Sequence, residues 1–155
     1  MISAVFVLAA ALHVNGQQPS PEILGIRLGM PYSTAHARLA KMGSFRSEDE
    51  GQQVWILNHD KHYQYVIVGF DRDRKVRYVT VLANPAGEAV NYEDVGNLRN
   101  ATQSGGPGNL RYTWILANKK EHLEYMVIAK GTDPRRLARW SIKRIERRQD
   151  GDNRD

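Results

Sequence analysis

The stretch from Val54 to Leu82, VWILNHDKHYQYVIVGFDRDRKVRYVTVL, constrains the fold most, because three runs of Val, Ile, Tyr and Trp are separated by two polar turns. β-Branched and aromatic residues fit a pleated, half-buried surface. Asp side chains bond their own backbone in tight turns. The stretch therefore predicts an antiparallel meander, with a first strand beginning at Val54, a turn at His59-Asp60-Lys61, and further strands at Tyr63–Phe70 and Val76–Ala83. Thr113 to Ile142, TWILANKKEHLEYMVIAKGTDPRRLARWSI, repeats the pattern, with Trp114 lying 59 residues after Trp55 and Tyr125 lying 60 after Tyr65. We read this as an internal duplication with a one-residue slip between its first two strands.

Around these blocks the chain supplies helices and links. QQPSPE at 17–22 reads as a linker, and the domain begins at Ile23. Pro31 suits the start of a helix, where its missing N–H is not needed. The helix is predicted over Tyr32–Met42, with Ala35, Leu39 and Met42 on one face and Gly43 as its stop. Ser44–Gln53 is polar and reads as a loop. Tyr92–Ala101 reads as a second helix. Gln103–Gly108 reads as a linker, since no Lys-Ser or Lys-Thr pair follows its glycines as a phosphate loop requires. Asp133-Pro134 could open a basic helix, but period-2 alternation favours a strand over Leu137–Ile145. The expected fold is α+β: about six antiparallel strands from two tandem helix-plus-three-strand repeats, 23–84 and 90–146, with the helices on one face. A single domain would span 23–148 and a disordered tail 149–155.

Composition narrows the function. There is no cysteine, so disulfides, cysteine-ligated zinc and a lipidated cysteine are excluded. The apolar run Ile2–Leu12 followed by Val14-Asn15-Gly16 reads as a signal peptide over 1–16, which predicts an exported, periplasmic or extracellular protein. The net charge of +5 is concentrated between Asp133 and Arg148.

Ile26-Arg27-Leu28-Gly29-Met30, a helix ending in Leu39 and Gly43, and a strand run with Phe70-Asp71 and a Lys75-Val76 return together resemble the outer-membrane assembly lipoprotein family of BamE/SmpA type. In duplicated form they are similar to the beta-lactamase inhibitor protein fold. The resemblance covers Ile23–Ala83 best. It implies a non-catalytic binding module of the bacterial envelope. BamE-type members are anchored through a lipidated cysteine, which this chain lacks.

No nucleophile motif is present, and no catalytic residue or cofactor is expected. His59, Asp60, His62, Asp71 and Asp73 could offer metal ligands, but turn chemistry already explains the carboxylates, so no metal site is assigned. Aligning the two blocks predicts a helix side lined by Val66, Val68, Val79, Val81, Met126, Ile128, Trp140 and Ile142. Tyr65, Tyr78, Tyr125 and Arg139 then point the other way, joined by Trp55 and Trp114. Tyr, Trp and Arg dominate binding hot spots, so the expected function is capture of a protein partner in the cell envelope on this aromatic face. The alternative is an anionic polymer or envelope lipid, held by Arg135, Arg136, Lys143, Arg144 and Arg147.

Overall fold

The computed structural model describes residues 18–146. The leader, the tail and Arg147 lie outside the described residues. The chain opens with a short hairpin, β1 (Glu22–Ile23) and β2 (Ile26–Arg27). Leu24 and Gly25, both at positive φ, make the turn that matches the right-handed twist of a two-residue hairpin. The helix α1 spans Tyr32–Met42, as its spacing predicts, and buries Ala35 and Leu39.

The remaining elements build one antiparallel sheet. Its strands are β3 (Gly43–Asp49), β4 (Gln52–Leu57), β5 (Tyr63–Phe70), β6 (Val76–Ala83), β7 (Thr102–Ser104), β8 (Leu110–Asn118), β9 (Leu123–Gly131) and β10 (Arg139–Arg144). The spatial order is β3-β4-β5-β6-β10-β9-β8-β7. Each half is a four-stranded meander, and the two halves meet where β6 pairs with β10.

The expected α+β arrangement of two helices and six strands is therefore corrected to a mostly β molecule. A two-stranded hairpin and an eight-stranded sheet carry the fold. The two strands that the sequence reading missed, β3 and β7, are the edges, and their residues are almost all exposed. An edge strand is held through backbone bonds on one side only, so it needs no apolar alternation to betray it. The second helix shrinks to the single turn α2 (Tyr92–Val95), followed by a 3-10 turn at Leu98–Asn100. Gly96 ends it where Pro19 packs so close that a Cβ would sit 2.5 Å from the proline ring.

One sheet face carries the core. Val66, Val68, Val79, Val81 and Ile142 are completely buried there, under α1, the β1–β2 hairpin and the α2 region. Across the seam Val81 lies opposite Trp140 and Val79 opposite Ile142. In the second half the core positions are Leu123, Tyr125, Val127 and Ala129. Met126 and Ile128, predicted for the helix side, lie on the other face, because β9 is shifted by one residue relative to the Tyr65–Tyr125 alignment. The strand pairings show the shift directly: Trp55 lies opposite Val66, whereas Trp114 lies opposite Val127 and not Met126. Residues 18–20 are not a free linker either. Pro19 is buried, and its carbonyl accepts a 2.7 Å hydrogen bond from the Tyr125 hydroxyl.

Candidate functional site

Three of the six residues expected on the binding face are core residues. Trp55 is 2% exposed, Trp114 1% and Tyr125 5%. Each has its polar atom satisfied internally, as a buried aromatic with a polar handle requires. The Trp55 indole N–H donates to Gln53 Oε1 at 3.1 Å, and that of Trp114 donates to the Asn97 carbonyl at 3.0 Å. Burial raises the Tyr125 phenol above its ordinary value. These three side chains hold the fold and present nothing to a partner.

The other three, Tyr65, Tyr78 and Arg139, do share the face away from the core. Tyr65 lies opposite Leu82, and Leu82 opposite Arg139. Tyr78 lies flat over Gly69, where an added Cβ would meet its ring at 2.0 Å, and its hydroxyl donates to Gln52. An aromatic laid over a strand glycine shields the backbone that the missing side chain would leave bare. Tyr78 is thus committed to the sheet. Tyr65 is freer, held at its rim by Arg46, whose guanidinium donates to the Tyr65 hydroxyl and lies 5.7 Å from the ring centroid.

Strand alternation fills in what the sequence reading missed on this face. Its middle row runs Val54, Ile67, Thr80, Ser141, Ile128 and Thr113 across adjacent strands. Thr80 and Ser141 hydrogen-bond across the seam at 2.9 Å. Toward one end the row Tyr65, Leu82, Arg139, Lys130 and Arg111 follows, and toward the other Gly69, Tyr78, Lys143, Met126 and Ile115. Both described helical segments lie on the core side of the sheet. Ile115, 73% exposed, is the most exposed large apolar residue of the face. The available signal was the phase of β8: with Trp114 inward, Arg111, Thr113 and Ile115 must point outward.

The basic segment does not form a single surface. Arg136 is tied down by carbonyls of Asn84 and Pro85 at 2.8 and 3.1 Å. Arg135 lies in the loop before β10, where its backbone N–H donates to the Asp133 carboxylate. Lys143 projects from the open face, and Arg144, its neighbour in an alternating strand, from the opposite one. The polyanion site built from Arg135, Arg136, Lys143 and Arg144 is therefore corrected: the strand conformation that the alternation predicted divides its cations between two faces.

Behind the first half lies a polar cluster that the sequence did not advertise. Gln53, fully buried, accepts from Trp55 and donates to the Tyr32 hydroxyl at 2.6 Å and to Glu48 at 3.0 Å. The hydrogen bonds from Gln53 and then Tyr32 hold the Glu48 carboxyl below its ordinary value. Asp60 and Asp71 serve their turns, each accepting two backbone N–H bonds. Among the described residues no group of three or more His, Cys, Asp or Glu could hold a metal ion.

Comparison with protein-family models, with curated proteins and with solved structures finds no match.

Proposed function

We propose that this chain is a non-catalytic protein-binding module whose docking surface is the open face of the eight-stranded sheet. One observation carries the reading. The apolar side chains Ile67, Leu82, Met126, Ile128 and Ile115, with Tyr65 among them, are gathered on a face that no described helix covers. They form two groups, Tyr65, Ile67 and Leu82 on β5 and β6 and Ile115, Met126 and Ile128 on β8 and β9, with Thr80, Arg139, Ser141 and Lys143 between them. Exposed apolar groups rimmed by polar residues mark interaction sites on soluble proteins. A rigid sheet also presents such groups without an ordering cost on binding. The leader-like run Ile2–Leu12 supports placing the module outside the cytoplasm, where the BamE-type resemblance would also put it.

The test is capture of partners by the immobilised chain from an envelope fraction. Ile67→Glu, which plants a charge in the middle row, should abolish capture while leaving the melting temperature close to wild type. Ala37→Glu, on the exposed side of α1, should leave capture intact. Equal capture by all three proteins would remove the open face as the binding surface.

A further inference from the structure

The open face carries a charge pattern that its own packing does not explain. Arg139 of β10 lies directly opposite Lys130 of β9, and Lys130 directly opposite Arg111 of β8. Like charges directly opposite one another across a sheet are destabilising. Among the described residues none of the three is ion-paired; Arg111 donates only to the Thr113 hydroxyl, at 3.3 Å. Asn109, Thr132 and Leu82 border a shallow depression of about 290 Å³ beside Lys130 and Arg139. Three cations thus stand in file, two of them, Lys130 and Arg139, lining the depression. Ser141, Ile128 and Thr113 of the middle row adjoin the file.

We infer that this row reads carboxylates on an acidic, partly apolar helical segment of the protein partner. The inference rests on the open-face reading and names the chemistry of what docks there. Two arguments choose the occupant. Nucleic-acid interfaces are more polar and more uniformly basic than protein interfaces. Here the cations border Ile128, with Met126 and Ile115 beyond it on β9 and β8, apolar groups that a sugar-phosphate chain would leave unused. The spacing then selects the conformation. Neighbouring strands lie about 4.8 Å apart, so the three positions span roughly 9.6 Å. Helix residues three or four apart have Cβ atoms about 5–6 Å apart, and seven residues rise roughly 10.5 Å. Same-side residues of an extended strand repeat every ~6.8 Å, and three of them overshoot the row by about 4 Å.

The probe is a displayed library of random sixteen-residue segments panned on the immobilised full chain. Enriched segments should carry Asp or Glu at three- or four- and seven-residue spacing beside apolar residues. As synthetic peptides they should lose at least tenfold in affinity for the R111Q/K130Q/R139Q variant. That variant should melt at or above the wild-type temperature, since removing the charges relieves repulsion. A lower melting temperature would mark the row as structural and overturn the inference. So would a library that yields no binder, or enriched segments with no acidic requirement. Peptides that lose binding to Ile67→Glu but not to the triple variant refute the row and leave the open-face reading standing. Peptides indifferent to both refute both. Heparin or a dT20 oligonucleotide bound more tightly than the peptides, and lost with the triple variant, would assign the row to a polyanion. A wild-type dimer that the triple variant abolishes would assign it to a second copy of this chain. Either result overturns the proposed occupant.

Discussion

At the scale of single residues, Gln53 shows what a buried polar group is for. It is completely enclosed, yet the Trp55 indole, the Tyr32 hydroxyl and the Glu48 carboxylate all bond to it. Gln53→Leu keeps the volume but leaves the Trp55 N–H without its acceptor, and should cost about 1–3 kcal/mol in a denaturant melt. The same cluster sets an acid response. Because the folded Glu48 pKa is depressed, its contribution is fully present above the ordinary carboxyl value near 4.5 and is lost as pH falls through the lower folded value. Glu48→Gln should therefore show a shallower loss of stability than wild type below about pH 4.5. A profile unchanged by the substitution would mean that the hydrogen bonds to Glu48 contribute nothing in solution.

At the scale of elements, glycines show where backbone meets backbone. Gly43 follows α1 as expected, but not by adopting a left-handed cap: its φ is −161°, extended like the strand it begins. A Cβ there would lie 2.1 Å from the Ile56 carbonyl oxygen, so α1 can turn directly into β3 only if the residue at the junction has no side chain. Gly43→Ala should cost about 1–3 kcal/mol, the range for overpacking, read as a lowered denaturation midpoint. The boundaries of α1, the hairpin turns and the strand β10 were legible because apolar period and turn chemistry both mark them. The edges β3 and β7 were not, since their residues are almost all exposed and β3 turns little more than Phe45 and Glu48 toward the core side. The faces of β9 were misread for a different reason. Tyr65 and Tyr125 looked equivalent, but the inward Trp55 pairs with Val66, next to Tyr65, whereas the inward Trp114 pairs with Val127, two residues from Tyr125, so Tyr65 points out and Tyr125 in. A one-residue slip in a strand exchanges its two faces. That slip alone moved Met126 and Ile128 to the wrong side and drew Tyr125 into the proposed binding surface. Trp55 and Trp114 were misplaced because an aromatic in an alternating run reads equally well as core or as contact.

At the scale of the whole molecule, the seam between β6 and β10 makes two meanders into one sheet. Val79 and Ile142, both completely buried, face each other across it. Each truncated to Ala should cost roughly 1 to 4 kcal/mol. Their double mutant should depart from additivity by about 0.5–3 kcal/mol, as contacting residues do. The seam also places Thr80 and Ser141 in the middle of the open face, flanked by residues of both halves. Under the proposed function, a partner docking there would touch both meanders at once. The most direct test is a photoreactive benzoyl-phenylalanine at position 80, with a control at position 37 on the outer side of α1, irradiated in cells that produce the full chain. A discrete adduct with another protein at position 80, absent at 37 and lost when Ile67→Glu is added, is the result expected. No adduct at 80, or equal adducts at both positions, would contradict the open sheet face as the surface through which this protein acts.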